Sequence, residues 1–305
     1  MWSLFDFLLP GFLGSRDEFR AAFELPSVNG ERETVTARLA HLIGPFILRR
    51  RKDQVCRQLP PKLEQHVFCE MEEEQRQAYG VLLRQGQVAL DDARRENWEE
   101  HRMRIFTLLL RLRQLCCHPA LLPPELLPDY QPETLPSAKM NLAREIILEA
   151  LDSGHRILFF SQFTSLLKVV REWLDATSIP YEYLDGSTRD RQGHVDRFNA
   201  DASIPIFLLS LKAGGTGLNL TGADTVIHYD QWWNPMVEDQ ATDRTHRIGQ
   251  SKPVTAVKLV VQNSIEERIL ALQDSKRELF EQVLAGAPAR FGELTAEDVE
   301  FLLGA

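Results

Sequence analysis

Long apolar runs are missing from this chain: no stretch reaches the roughly 18–20 uninterrupted apolar residues that a membrane span needs. The apolar opening MWSLFDFLLPGFLG has no leading basic region and carries Asp6 and Pro10, which argues against a secretory signal. A soluble protein of the cytoplasm, or of the nucleus in a eukaryote, is expected, with no membrane partner. Cysteine is scarce. Cys56, Cys69, Cys116 and Cys117 show no framework spacing, which excludes a disulfide scaffold and leaves reduced thiols. Cys116-Cys117-His118 has no second ligand pair at a usable distance, so packing is expected there and no metal site. Internal repeats and low-complexity tracts are also absent. So is any GxxxxGK[ST] string, which excludes a self-contained P-loop ATPase.

Net positive charge is lacking too. The formal charge is −9, which taken alone counts against phosphate binding. Charge is unevenly placed, however. Arg49-Arg50-Arg51-Lys52, followed by Arg57 and Lys62, makes a dense basic run, and Arg102–Arg113 adds Arg104 and Arg111. Either run can be a phosphate-binding stripe or a solvated face. The acid concentrates in Glu70–Glu74, Glu96–Glu100 and the last twenty residues.

The texture changes near residue 136, after the proline-rich HPALLPPELLPDYQPETLP. Before it, apolar residues recur at helical spacing in Glu72–Leu90 and Met103–Leu115. After it, short apolar strands alternate with amphipathic helices. The pattern predicts strands at Arg156–Phe160, Tyr181–Leu184, Ile204–Leu209, Thr225–Tyr229 and Val254–Val261. It predicts helices at Ser165–Asp175, Arg189–Asn199, Met236–Arg247 and Ser264–Leu284. That order implies βαβ units, hence an α/β fold with a parallel sheet covered on both faces. In such folds ligands bind at the carboxyl ends of the strands.

Three strings at those ends carry chemistry. SLKAGGTGLNL (Ser210–Leu220) follows a buried strand, and Gly214, Gly215 and Gly217 allow close backbone approach to a phosphate; a simple turn is the alternative. In DQATDRTHRIGQ (Asp239–Gln250), a helix would bring Gln240, Arg244 and Arg247 onto one face. Two guanidinium forks so placed suit a triphosphate, unless Asp239 or Asp243 pairs with them. YDQWWNP (Tyr229–Pro235) makes a rigid aromatic turn, for packing or for contact with a nucleic-acid strand.

Together these strings resemble the second half of a superfamily-two nucleic-acid motor of the Swi/Snf type. ILFFSQFTSLL (Ile157–Leu167) resembles that family's motif IV, and YLDGSTRDRQGHVDRFN (Tyr183–Asn199) its next block. The glycine loop resembles motif V, and DRTHRIGQ the family's own form of motif VI. FDFLLPGFLGSRDEF, PFILRRRKDQV, LPPKLE and LRQLCCHP resemble the segments around its helical protrusions, so the likeness spans almost the whole chain.

The resemblance implies a RecA-like helicase C-terminal lobe at residues 136–285 behind an N-terminal helical subdomain. Residues 1–20 would be the tail of a first motor lobe, 21–135 a helical protrusion and linker, and 286–305 an acidic tail. It implies that the chain is one part of an ATP-driven translocase on double-stranded DNA. Its partner would be an N-terminal RecA-like lobe absent from this sequence, and that lobe would hold most of the ATP and Mg2+. Arg244 and Arg247 would be arginine fingers, with Gln240, Gly215 and Gly217 beside the nucleotide. Ser161, Gln162, Lys212, Thr216 and Asn219 would touch the DNA backbone and Trp233 the tracked strand. His194 receives no role. The cargo is left open among nucleoprotein, RNA polymerase and a repair site. A lobe that binds without turnover, or one from a strand-separating helicase, is the alternative.

Overall fold

The structure, a computed structural model, describes residues 2–24, 32–47, 56, 58–132, 134–214, 217–284 and 296–304. The chain forms two compact units, Met1–Arg57 with Leu272–Glu293, and Gln58–Ala271 with Leu294–Ala305.

The first unit contains helices α1 (Trp2–Leu8), α2 (Arg16–Phe19) and α3 (Arg32–Ile43). Ser15 starts α2 with a capping box: its hydroxyl accepts from Glu18 N, and its own N–H donates to the Glu18 carboxylate at 2.7 Å. Phe5, Leu13, Phe19, Phe23, Val35, Leu39 and Ile43 form the core. The basic run Arg49-Arg50-Arg51-Lys52 and Arg57 lie outside the described residues.

The second unit is built on a six-stranded, all-parallel sheet in the order β1-β6-β5-β2-β4-β3. The strands are β1 (Lys62–Cys69), β2 (Ile157–Ser161), β3 (Tyr181–Leu184), β4 (Ile206–Ser210), β5 (Thr225–His228) and β6 (Val254–Val261). Helices α4 (Glu73–Arg95), α5 (Trp98–Cys117) and α6 (Ala138–Asp152) join β1 to β2, and α7 (Thr164–Ala176) and α8 (Arg191–Ala200) follow β2 and β3. The short α9 (Leu211–Gly214) follows β4, α10 (Pro235–Thr242) follows β5, α11 (Ile265–Leu284) follows β6, and α12 (Ala296–Leu303) ends the described chain.

The period-two alternation of side chains splits the strands between two cores. Ile157, Phe159, Ile206, Leu208, Ile227, Val257 and Leu259 pack with Ile147, Leu167, Val170 and Leu174 of α6 and α7. Leu158, Phe160, Phe207, Leu209, Val226 and Ala256 pack on the other face with Val195, Phe198, Leu220 and Ala241. Both faces are therefore covered, as the near-continuous apolar strands require. The fold is the RecA-like parallel sheet expected from the sequence.

Three expectations differ from what is observed. The division of the chain runs between residues 57 and 58, not between 135 and 136. Its cause is β1, which pairs with β6 over Lys62↔Val254 to Cys69↔Val261 and brings α4 and α5 into the sheet unit. Nothing in the strand's alternation announced it. As an edge strand it keeps Leu63, Glu64, Gln65 and His66 exposed. The end of the proposed acidic tail is α12, whose Val299, Leu302 and Leu303 are fully buried. Leu303 packs on Gly86 of α4, and Arg94 bonds Glu300 at 3.0 Å. Finally, α10 ends at Thr242, five residues before the expected end at Arg247.

β5 carries a titratable group whose effect can be measured. Burial pushes His228 down to about 4, with Lys258 adding to the shift and Glu238 opposing it. Its Nε2 meets Thr242 Oγ1 at 2.8 Å and its ring stacks on Phe160. An unfolded histidine takes up its proton near pH ~6.5. Between that value and about 4 the unfolded chain therefore binds more protons than the folded one. Stability should fall as pH drops through this window, by about 3 kcal/mol in all from this group. Denaturant titrations of His228→Gln should show a flatter stability curve between pH ~6.5 and ~5. A parental slope in the variant would assign the proton uptake to other groups.

Candidate functional site

Because every strand runs the same way, the loops after β2, β4 and β5 leave the sheet at one edge. At the centre of that edge is Asp230, only 3% exposed. Its carboxylate accepts Ser161 Oγ at 2.5 Å, Gln162 N at 3.3 Å and Gln162 Nε2 at 2.5 Å. Burial pushes this carboxyl up, opposed by Arg113, Ser161 and Gln162. Ser161, expected as a backbone contact, is thus buried and spends its hydroxyl on holding the loop. Gln162 remains half-buried beside it.

The aromatic turn after β5 is held at successive backbone groups. Lys139 Nζ donates to Tyr229 O at 2.8 Å, Arg113 Nη2 to Gln231 O at 2.5 Å, and Trp232 N to Glu238 Oε1 at 2.7 Å. Glu238 pairs in turn with Lys258 at 2.9 Å, both groups buried. Asn234 caps α10, accepting from Met236 N at 3.0 Å, and Pro235 opens the helix. Trp233 is half-buried, with the Arg113 guanidinium 4.6 Å from its ring centroid.

In the glycine loop, Gly215, Thr216 and the side chain of Lys212 lie outside the described residues. Gly217 is exposed at φ +49, with open space where a Cβ would stand. Asn219 is exposed, and its carbonyl accepts Asn199 Nδ2 at 2.8 Å. This loop touches the arginine segment directly, through Leu220 N to Arg244 O at 3.0 Å.

The arginine segment corrects the helical-face expectation. Asp243 is the C-cap of α10, and the chain then turns back on itself to Gly249 at φ +104. Asp243, Thr245 and His246 are weak helix formers, and the bond to Leu220 draws the backbone aside. Gln240 stays on the helix, exposed, while Arg244 and Arg247 stand on the turns beyond it. Nor are both arginines exposed. Arg244 is buried at 5% exposure, and burial, with the nearby Arg247 charge, lowers its guanidinium. Arg247 is half-buried, its Nε donating to Asp243 O at 3.0 Å. Gln250, the last residue of the segment and one given no role from the sequence, anchors it. Gln250 Nε2 donates to Ala223 O at 2.8 Å and to Thr221 O and Thr245 O at 3.3 Å. Gly249-Gln250, a glycine and a polar residue at the end of the string, was the signal the sequence offered.

The remaining sequence candidates have structural partners. Arg102 pairs with Glu99, Arg104 with Asp92, and Arg111 bonds Gln114, which is the pattern of a solvated helix face. His194 meets Glu182, which Arg197 also bonds at 2.7 Å. Cys116 and Cys117 are fully buried, and burial pushes both thiols well above their usual range. Among the described residues no helix is long and apolar enough to cross a membrane.

Comparison with known proteins gives the arrangement its context. The model of the SNF2-related domain matches residues 1–121, and that of the helicase conserved C-terminal domain matches residues 138–249. A putative ATP-dependent helicase/translocase, YwqA, of Bacillus subtilis is 36% identical over 309 residues, covering 99% of this chain and 32% of the relative. The human SWI/SNF-related matrix-associated actin-dependent regulator of chromatin subfamily A member 1 is 37% identical over 288 residues, covering 92% of this chain and 27% of the relative. The chain thus spans about a third or less of the length of these relatives. A solved Sulfolobus solfataricus SWI2/SNF2 ATPase core in complex with dsDNA is 34% identical, with a TM-score of 0.62 over 99% of this chain and 63% of that one. On these grounds the chain belongs to the Swi/Snf family of SNF2-related, ATP-dependent helicases and carries that family's RecA-like helicase C-terminal domain.

Proposed function

We propose that this chain is the second lobe of an ATP-driven motor that translocates on double-stranded DNA. In this reading it supplies arginine fingers to ATP and backbone contacts to the duplex. The observation that carries it is the bond from Leu220 N to Arg244 O, which ties the glycine loop to the arginine segment at the carboxyl edge of a parallel sheet. Exposed Gly217 offers backbone to a phosphate, and the mutual proximity of Arg244 and Arg247 concentrates cationic charge beside it. That donor set suits a polyphosphate. Gly215, Gly217, Gln240, Arg244 and Arg247 would line the nucleotide, with Arg247 the more accessible finger. ATP bound between this lobe and a P-loop lobe would supply the phosphoryl-transfer energy for stepping. Mg2+ would be held on the P-loop lobe, since these 305 residues contain neither GxxxxGK[ST] nor its Asp-Glu partner at a strand end.

Gln162, Lys212, Thr216, Asn219 and Trp233 would meet the duplex, with Ser161 holding the Gln162 loop in place. Residues 1–20 would be the tail of the first lobe. Nucleoprotein or RNA polymerase would be acted on through the DNA.

Two measurements on this chain test the reading. Duplex binding should be independent of sequence and should weaken about ten- to a hundredfold between about 50 and about 200 mM salt, as expected for a few neutralised phosphates. Affinity that held constant over that range would contradict backbone contact. The same preparation should release no phosphate from ATP above background with or without DNA. A robust rate would reveal a complete catalytic site within the chain and overturn the two-lobe division.

A further inference from the structure

We infer that Arg113, on α5 within the LRQLCCHP string, is a positioning residue for the DNA-facing edge, acting through its buried pair with Asp230. The inference rests on the reading of that edge given above. Arg113 is 4% exposed, and its Nη2 lies 4.0 Å from Asp230 Oδ2 while donating to Gln231 O at 2.5 Å. The guanidinium also contacts rings from both loops: Phe163 at 5.7 Å, Trp232 at 6.0 Å and Trp233 at 4.6 Å from their centroids. Asp230 faces the other way as well, accepting from Ser161 and from both nitrogens of Gln162.

One pair of side chains therefore joins the loop after β2 to the loop after β5. Those strands are neighbours, with Phe160 opposite His228, so their loops leave the sheet side by side. An arginine that served only packing would need a carboxylate and nothing more. Here a planar fork holds a loop carbonyl and approaches the carboxylate that organises the second loop, while its faces lie against three aromatic rings. Lysine, a point charge, cannot make these contacts at once. Gln162 and Trp233, the side chains proposed to meet DNA from these two loops, are the ones whose placement depends on the pair.

The test uses this chain, a short random-sequence duplex, and three variants: Arg113→Lys, Asp230→Asn and the double Arg113→Met/Asp230→Asn. Thermal melting, site-resolved amide exchange and duplex affinity are read together. Arg113→Lys should raise exchange at residues 162–163 and 231–233 by about tenfold or more, leaving the amides of β2, β4 and β5 near parental rates. Its duplex affinity should fall about tenfold. Asp230→Asn leaves a buried arginine without its counter-charge and should melt earlier. The double variant removes the charge from both sides and should regain most of the lost melting temperature. Positioning requires that its loops stay fast-exchanging and its DNA binding stay weak despite that recovery. A double variant with parental loop protection and affinity would overturn the inference, and so would Arg113→Lys with unchanged loops. If the parental chain bound no duplex at all, the DNA reading would fall, and loop protection alone would decide the role of Arg113.

Discussion

In a motor that joins this lobe to a P-loop lobe, Arg247→Ala is expected to lower DNA-stimulated ATP hydrolysis by about a thousandfold while DNA affinity stays near parental. A donor that meets the γ-phosphate as charge develops acts on the transition state, so its loss appears in turnover and not in ground-state binding. The structure separates the two arginines. Arg247 is half-buried on a turn, and its Nε bond runs to a backbone carbonyl one turn earlier, so removing it opens no core cavity. Its melting temperature should therefore stay close to the parental value. Arg244 is buried, and its carbonyl accepts the bond from the glycine loop. Arg244→Ala should lose turnover and some stability together. If both arginines served only as structural partners of Asp239 or Asp243, the folded variants would hydrolyse ATP at near-parental rates. A folded Arg247→Ala motor with parental turnover would remove the finger assignment.

The contrast between the two arginines also marks what the sequence could convey. Strands β2 to β6 were legible as short runs rich in apolar, aromatic and β-branched residues, continuous in ILFFS and IFLLS and alternating in YEYL. Their shared direction followed from the helices between them. β1 was hidden because an edge strand buries little, and KLEQHVFC mixes polar with apolar residues on both faces. The glycine loop, the aromatic turn and the arginine string were found because unusual residues cluster in them. The turn at residues 243–249 was not foreseen, since helical spacing in DQATDRTHRIGQ persists past the point where tertiary bonds from Leu220 and Gln250 pull the backbone away. The buried cations under the edge were invisible for another reason. Arg113 and Lys139 sit in helices where a basic residue reads as surface, and only long-range packing brings Asp230 and Glu266 to them.

Lys139→Ala is expected to be the most destabilising single change in the sheet unit, by about 3–5 kcal/mol. Lys139 follows the cap residue Ser137 in the first turn of α6, and its ammonium is fully buried. It donates to both oxygens of Glu266, at 2.6 and 2.5 Å, and to Tyr229 O at 2.8 Å. Burial, the largest single influence, lowers this ammonium, but Glu266 and the neighbouring Cys117 and Cys116 together raise it above the usual lysine range. Glu266 is 1% exposed and also accepts from Val261 N at 3.0 Å, so it closes the end of β6 as Lys139 closes the end of β5. Removing the ammonium strands a carboxylate and a carbonyl in a place that water does not reach, and the desolvation cost of both is then uncompensated. The melting temperature should fall by roughly 10 °C in a unit of this size. Replacing the pair together, Lys139→Met with Glu266→Gln, leaves neither position charged and lets the glutamine oxygen keep the Val261 bond. That double variant should recover most of the loss, though Tyr229 O still lacks its donor. Calorimetry of Lys139→Met, Glu266→Gln and the double closes the cycle. A Lys139→Ala chain that melted within a degree or two of the parent would show that water or another cation reaches Glu266, and the pair would then hold neither strand end.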